Sequence, residues 1–222
     1  MTEIQIDKII RSRRRSVGLE ITPDSKLVVR APNHVSEEDI QNLLHKKADW
    51  ITEKKALVGE RQIRRQPKQF ISGESFYYLG KPYQFKLIEG DAIRLTEFLE
   101  FPKIFLSNAK QHLIKWYKNL AYEKLKERTD EYSRMIGLFC SKIRISNASR
   151  CLGSCSIKGN LNFSWRLIMA PLELVDYVVV HELIHLDERN HSRNFWNKVG
   201  VVLPDYRKRK HSLKQNNMLF DL

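Results

Sequence analysis

The 222-residue sequence has few cysteines, a deficit of acidic residues and no long apolar run. Its three cysteines, Cys140, Cys151 and Cys155, form an odd and sparse set that argues against a disulfide framework and for a reducing compartment. No segment approaches the roughly 20 apolar residues that span a bilayer. The first residues carry charges where a signal peptide has an apolar core. We therefore expect a cytoplasmic protein that does not interact with a membrane.

Acidic residues are outnumbered, with 26 Asp and Glu against 39 Lys and Arg, which gives a formal net charge of +13. A basic surface attracts polyanions and acidic substrates. The basic residues are densest in two clusters, Arg11 with Arg13, Arg14 and Arg15, and residues 207–210. Two interpretations stay open: a nucleic-acid partner, or a solvated basic surface without a polyanion partner.

The first hundred residues have the pattern of strands around one helix. A helix is predicted after the capping residue Ser36 up to about Lys55, followed by an exposed polar linker. The linker is predicted at 59–68, and the strands at 19–22, 26–30, 76–79, 83–87, 93–95 and 104–106.

The pattern changes at Ser107, a good N-cap residue. A long helix with one apolar stripe is predicted from there to Met135, followed by strands at 143–145 and 161–165. Pro171 stands where the first residue of another helix is expected. The sequence therefore predicts an α+β fold, with a mainly β region at 1–106 and a catalytic domain at 107–222.

Residues 181–185, His-Glu-Leu-Ile-His, carry the densest set of chemically active groups. On a helix, residues four apart share a face, so His181 and His185 present two imidazoles to one ion. Leu174 and Val178 continue the same stripe, which places both histidines on an inward-facing surface. Two unpartnered histidines there would be expensive to desolvate. The pattern favours a zinc site over two hydrogen-bonded core histidines.

Glu182 is displaced from His181 by about a hundred degrees around the helix. Its carboxylate is therefore expected beside the metal, within reach of a metal-bound water. Zinc lowers the pKa of bound water to about neutrality, so the carboxylate can take a proton as the water attacks a carbonyl. It can then return a proton to the leaving amine. We predict Glu182 as the catalytic base.

A catalytic zinc usually has three protein ligands and one open position. Beyond position 188 the chain has no Glu and only Asp205 and Asp221, which effectively excludes a third-ligand Glu on a later helix. His191 lies ten positions after His181, the spacing found in the extended metzincin motif. We predict His191 as the third ligand, with Asp205 and His211 as formal alternatives.

A continuous helix would turn His191 about eighty degrees away from the face of the first histidine. The helix is therefore expected to end between about Asp187 and Asn190. Metzincins have Gly at the position of Glu188, so Asn190, which tolerates left-handed backbone, is expected to make the exit. Ser192 is predicted to cap a following helix.

The run from Asp176 to Leu186, followed by Asn190-His191-Ser192, resembles the YgjP-like metallopeptidases, metal-dependent hydrolases related to the SprT and WLM groups of zincin-like proteases. The likeness extends over nearly the whole chain and is most specific in the C-terminal part. It implies a zincin-like catalytic region, zinc (Zn²⁺) held by His181, His185 and His191, and a catalytic glutamate at Glu182.

One departure from the family lies in the loop before the last strand. The family usually has Arg-Trp before Gly-Ser-Cys, whereas Cys151-Leu152 precede Gly153 here, which is expected to change the local packing. The three cysteines are interpreted as mostly buried structural thiols, with metal or redox chemistry as the alternative.

Three functional hypotheses follow. The leading one is a zinc-dependent peptidase that acts on a peptide or protein substrate. The second is a nucleic-acid-associated protein with a structural or vestigial zinc site, and the third is a hydrolase of non-peptide amides or esters. Tyr177, Asn162 and Arg166 are candidate donors to the oxyanion. The strand at 161–165 is predicted to offer an edge for an extended peptide.

Overall fold

The computed structural model describes residues 4–22, 24–64, 68–149 and 151–215. The chain divides into two compact units, Met1–Pro67 and Lys68–Leu222, and each has its own hydrophobic core. Helices and sheets occur in both units, so the predicted α+β class is confirmed. The extent of the catalytic domain, predicted as 107–222, stays a prediction. No helix in the described ranges combines the length and apolarity needed to cross a membrane.

The first unit contains a three-stranded sheet and two helices. Its elements are β1 (Lys8–Ser12), β2 (Gly18–Ile21), β3 (Leu27–Pro32), α1 (Glu37–Lys46) and α2 (Ala48–Arg64). The central strand β3 is parallel to β1 and antiparallel to β2. Leu27 and Val29 of β3 form the core with Ile40 and Leu44 of α1.

The predicted cap of the first helix is confirmed, because the Ser36 hydroxyl accepts a hydrogen bond from the Asp39 N–H at 3.1 Å. The prediction of one helix ending near Lys55 is wrong. The backbone leaves helical geometry at Lys47 (φ −114°), where α1 ends, and α2 then continues to Arg64. The segment 59–64, expected in a linker, is therefore helical, and 65–67 lie outside the described residues.

The second unit begins with a four-stranded sheet of order β4-β5-β7-β6. Its strands are β4 (Ser75–Tyr78), β5 (Lys81–Ile88), β6 (Arg94–Leu95) and β7 (Leu99–Pro102). The predicted hairpin of β4 and β5 is confirmed. The strand expected at 104–106 is instead a 3₁₀ turn, Lys103–Asn108, so Ser107 lies inside that turn and Asn108 precedes the long helix.

Among the remaining elements of this unit, one helix contacts three others. These elements are α3 (Ala109–Ile136), β8 (Lys142–Ser146), β9 (Gly153–Cys155), β10 (Asn160–Ser164), α4 (Leu172–Ile184), α5 (Arg193–Val202) and α6 (Tyr206–Gln215). Helix α4 packs against α3 and also against α5 and α6. Pro171 is the N-cap of α4 rather than its first residue.

The second sheet of this unit has the order β8-β10-β9, with β10 parallel to β8 and antiparallel to β9. Both edges of β10 are therefore paired. The prediction that this strand offers an edge to a peptide is wrong, because a central strand has no unpaired backbone groups for a further strand. The outer strand on the side of α4 is β9.

Helix α4 is buried nearly all round, including the carboxylate of Asp176, which is 7% exposed. A buried charge requires a partner. Arg128 of α3 supplies it: its Nε donates to Asp176 Oδ1 at 2.6 Å, and a second guanidinium nitrogen donates to Oδ2 at 3.1 Å. This two-point contact fixes α4 along and around the axis of α3.

The entrance of α4 is fixed by the turn between β4 and β5. The N–H groups of Leu79 and Gly80 donate to the carbonyls of Ile168 and Met169, just before α4, at 2.7 and 3.1 Å. Gly80 has a φ of +80°, and a Cβ there would lie 2.9 Å from Pro171 Cα. Only glycine fits both constraints.

We expect Gly80→Ala to lower the free energy of unfolding by about 2–4 kcal/mol, because the substitution adds left-handed strain and a clash with the backbone of Pro171. The measurement is chemical denaturation of both proteins. Gly73→Ala is the matched control, since Gly73 also has positive φ (+97°) but open space around it. Equal losses in the two variants would contradict the role of the Pro171 contact.

Candidate metal centre

The two histidines of the 181–185 segment lie at the C-terminal end of α4. Regular helix ends at Ile184, and His185 is the C-cap residue, still in helical backbone geometry (φ −65°, ψ −13°). One turn therefore separates the two imidazoles, and their ring centroids are 4.8 Å apart. Both side chains are partly buried.

The route from α4 to His191 differs from the prediction. The helix ends at Ile184 rather than between Asp187 and Asn190, and turns continue only to Asp187. No residue between His185 and His191 has a positive φ, so Asn190 does not make a left-handed exit. The Asn190 side chain instead accepts a hydrogen bond from the Ser192 N–H at 3.1 Å. Ser192 caps α5 as predicted, accepting from the Phe195 N–H at 3.2 Å.

Ion pairs hold this turn where glycine is absent. Lys198 of α5 pairs with Glu188 at 2.9 Å and also with Asp187. Arg189 donates to the carbonyls of Ser156 and Ile157, at 2.9 and 3.3 Å, in the turn between β9 and β10. These contacts attach the 187–189 segment to α5 on one side and to the sheet on the other. They hold the chain in place where it leaves α4, although no residue there adopts left-handed backbone geometry.

The three imidazoles converge on one point. His191 Nε2 lies 2.9 Å from His181 Nε2 and 3.2 Å from His185 Nε2, and all three ligand atoms lie within 4.8 Å of one another. Nitrogens bound at the ~2.0–2.1 Å of a tetrahedral zinc site lie a little over 3 Å apart, and the separations of His191 Nε2 from the other two nitrogens are close to this value. An all-imidazole set is suited to zinc and its transition-metal neighbours and not to calcium or magnesium.

The protonation states of these rings also favour metal binding. His185 Nδ1 lies 2.9 Å from the Glu188 carbonyl, an acceptor, so Nδ1 carries the proton and Nε2 presents its lone pair. Burial, with the nearby charges of His185, His191 and Lys210, lowers the pKa of His181 to about 3. The His181 ring is therefore neutral at pH 7. Its buried Nδ1 has no hydrogen-bond partner among the described residues.

Aromatic side chains of α5 enclose the imidazoles. Phe195 is fully buried, with its ring centroid 4.6 to 4.9 Å from those of all three histidines. Trp196 stacks on His191 at 5.5 Å and on Tyr206 of α6 at 5.4 Å. These contacts restrict the ring orientations before any ion is bound.

Glu182 is buried between α4 and β9 and only 5% exposed. Burial raises the pKa of its carboxyl group to about 7. A Cβ on Gly153 would lie 2.7 Å from Glu182 Oε1 and 2.9 Å from Val178 Cγ1. Glycine at 153 therefore allows β9 to lie directly against the carboxylate.

A cleft of about 280 Å³ opens beside these groups. It is lined by residues of β9 and the loop before it, of α4 and of α6: Cys151, Leu152, Gly153, Tyr177, Val178, His181, Glu182, Leu213 and Lys214. Cys151 and Leu152, where the chain departs from the usual Arg-Trp of the family, thus form part of its wall. Burial, with the nearby Tyr206 and Glu182, raises the pKa of Tyr177 to about 12, so its hydroxyl stays a donor.

Other residues singled out in the sequence lie elsewhere. Asp205 is exposed and pairs with Arg209 at 2.9 Å, and neither Asp205 nor His211 belongs to the histidine cluster. Arg166 donates to the Asn147 carbonyl at 2.8 Å and lies over the Trp165 ring. Asp221 lies outside the described residues.

The interpretation of the cysteines as mostly buried is wrong for Cys151, which is exposed in the loop before β9. Cys140 and Cys155 are partly buried, and all three are free thiols. Within the described ranges no metal-ligating group includes a cysteine.

Helix α6 is the part of the site that sequence reasoning missed. For the run 207–210 the sequence left two interpretations open, a polyanion-binding cluster or a solvated basic surface, and neither placed it at the histidine cluster. The helical spacing of Tyr206, Lys210, Leu213 and Lys214 was an available signal that one face of this helix packs near the histidine cluster.

Three converging imidazoles beside a buried carboxylate are groups that can hold a metal ion and accept a proton. A protein-family model described as "YgjP-like, metallopeptidase domain" matches residues 15–216. The chain therefore belongs to the YgjP-like metallopeptidase family, which confirms the resemblance drawn from its sequence.

Two solved structures match part of the chain. One is the metallopeptidase zymogen of Pyrococcus abyssi abylysin, with 20% identity and a TM-score of 0.38 over 41% of this chain and 93% of that chain. The other is the metallopeptidase zymogen of Methanocaldococcus jannaschii jannalysin, with 22% identity and a TM-score of 0.38 over 41% and 95%. No match is found among curated proteins.

We expect His191→Ala to lower zinc affinity by more than about 100-fold, because it removes a ligand rather than an outer partner of one. The measurement is competition with a chromophoric chelator, together with zinc content by mass spectrometry. His34→Ala, at an exposed position of the first unit, is the control and keeps full affinity. Full zinc content in His191→Ala would show that the third ligand lies elsewhere.

Proposed function

We propose that this protein is a zinc-dependent peptidase in which His181, His185 and His191 hold the ion and Glu182 is the general base. The observation that carries the proposal is the convergence of three Nε2 atoms beside a buried carboxylate. Family membership supports peptide or protein as the substrate. Zinc, when bound, supplies a Lewis acid that acidifies water and polarises a carbonyl.

The chain's own residues then move the protons. Glu182 accepts the proton of the attacking water at a carboxylate oxygen and returns it to the leaving amine. Gly153 lets β9 exclude bulk water from one side of this carboxylate. The apolar Leu152 and Val178 in the cleft wall lower the local polarity, which strengthens the electrostatic contacts inside.

Tyr177 is proposed as the donor that stabilises the oxyanion. Of the three candidates from the sequence, Tyr177 alone lines the cleft, and its ring centroid lies 5.9 Å from that of His181. Its hydroxyl makes no hydrogen bond to any described residue, so it is available to a substrate. Arg166 is turned toward Asn147, and Asn162 lies in the central strand β10.

The outer strand β9 is the proposed guide for the substrate backbone. It ends the β8-β10-β9 sheet on the side of α4, and within the described residues no further strand pairs with it. A peptide extended along β9 would pass beside Glu182, which contacts Gly153 of the same strand.

The other two hypotheses rest on weaker support. A non-peptide amide or ester would use the same machinery, but the family is one of peptidases. Nucleic-acid binding stays a prediction, and several arginines of the two basic clusters are engaged within the chain. Arg11 donates to the Val35 carbonyl at 2.7 Å, and Arg209 donates to the Glu173 carbonyl at 3.0 Å.

We expect Glu182→Gln to reduce the turnover of a cleaved peptide by about 10²–10⁴-fold while zinc content stays unchanged, because the amide cannot accept the proton. Peptide cleavage by mass spectrometry and metal content are measured on the same preparation. The control is Glu173→Gln in the first turn of the same helix, outside the cleft. Undiminished turnover in Glu182→Gln would exclude the proposed base.

Tyr177→Phe is expected to lower kcat by about 10²–10³-fold with little change in KM, since the donor acts on charge that develops in the transition state. Steady-state kinetics on the same peptide measure both constants. The control is Tyr206→Phe, a neighbouring tyrosine whose hydroxyl accepts from Arg207 at 3.3 Å and does not line the cleft. Equal effects of the two variants would contradict an oxyanion contact by Tyr177.

A further inference from the structure

One wall of the cleft beside the histidines is formed by α6, a helix with basic side chains and no acidic ones. Its sequence is Tyr-Arg-Lys-Arg-Lys-His-Ser-Leu-Lys-Gln. The end of the helix contributes Leu213 and Lys214 to the cleft. Several positive side chains are thus placed close to the proposed zinc.

The basic side chains of α6 make different contacts. Arg209 pairs with Asp205, and its guanidinium also donates to the Glu173 carbonyl, so it is used in fixing the helix. Lys210 Nζ lies 4.0 Å from the centre of the Trp196 ring, and Trp196 stacks on His191. Lys210 is therefore held close to the metal ligands and adds a positive charge on that side.

Lys214 is the cation that lines the cleft, and it makes no ion pair with any described residue. The same lining contains the Glu182 carboxylate of α4 and the apolar side chains of Leu152, Val178 and Leu213. A substrate side chain in the cleft therefore has both aliphatic surface and an ammonium group available to it.

We propose that the cleft selects peptides with an acidic side chain, Glu or Asp, next to the bond that is cleaved. Lys214 is the residue responsible for this selection. A short aliphatic stem with a terminal carboxylate matches the apolar lining and an ammonium group that makes no ion pair within the described part of the chain. Lys210 adds to the attraction through the field that it creates near the site. This inference rests on the proposed function, because it requires that a peptide occupies the cleft.

The expected preference is modest. Lys214 is solvent-exposed, and an exposed ion pair changes an equilibrium by up to about fivefold. Reversal of the charge at 214 is expected to invert the preference, because a Glu there attracts a basic side chain and repels an acidic one.

The experiment measures peptide retention rather than cleavage. A degenerate pool of acetylated, amidated octapeptides is passed over immobilised, zinc-loaded Glu182→Gln protein, and mass spectrometry counts Glu-containing against Gln-containing peptides. We expect about fivefold enrichment of the Glu peptides. With Lys214→Glu added, the enrichment is lost and Lys-containing peptides are retained in their place.

The matched control is Lys208→Glu, which makes the same charge change on the same helix at an exposed position outside the cleft. It is expected to keep the Glu enrichment. The proposal is overturned if no Glu enrichment is seen, or if Lys208→Glu and Lys214→Glu abolish it equally, since the net charge of the protein would then explain it.

The two levels of proposal fail in different ways. If Glu peptides are enriched in a way that depends on Lys214 but the zinc-loaded native chain cleaves no peptide, the selection of acidic side chains is supported and the peptidase activity is contradicted. If the native chain cleaves peptides without preference for an acidic residue, the peptidase activity is supported and the selection by Lys214 is contradicted.

Discussion

Helix α4 is buried on nearly all sides, so a charged carboxylate on it requires a partner inside the protein. Asp176 meets this requirement through Arg128 of the neighbouring helix, in a two-point ion pair. The two histidines at the other end point into a cluster of imidazoles, and Glu182 faces a cleft. A structural ion pair and two residues of the proposed metal centre, His181 and Glu182, thus lie within thirteen residues of one helix. The ion pair of Asp176 with Arg128 sets the position of the helix. The proposed metal centre depends on that position, because catalytic groups tolerate displacements of only a fraction of an ångström.

The parts of the site that follow from local rules were predictable from the sequence. Helical spacing alone places His181 and His185 on one face, and Ser192 caps α5 through a contact three residues away. His191 follows from the count of ligands that zinc requires and from the scarcity of carboxylates downstream. The hairpin of β4 and β5 and the long helix α3 follow from periodicity and turn residues in the same way.

The remaining features depend on contacts between residues distant in sequence. The helix exit was expected to need a left-handed residue, but Lys198 and Arg189 hold the turn by pairing with side chains and carbonyls up to 33 positions away. The central place of β10 depends on a parallel partner, β8, whose register no local pattern specifies. The strand expected at 104–106 is a 3₁₀ turn although its residues are apolar, and the side chains of Ile104 and Leu106 are exposed there. The packing of α6 over the site also arises from tertiary contacts.

The guanidinium of Arg189 connects the segment that carries His191 to the turn between β9 and β10. Under the proposed function, occupation of the metal site would restrict the histidine segment, and a peptide extended along β9 would restrict the turn. Each event would then remove conformational freedom that the other would otherwise have to remove. Such a link is reciprocal by thermodynamic necessity: whatever factor metal binding adds to the affinity for an extended chain, the extended chain adds to the affinity for metal. The Arg189 side chain would be the physical basis of that coupling.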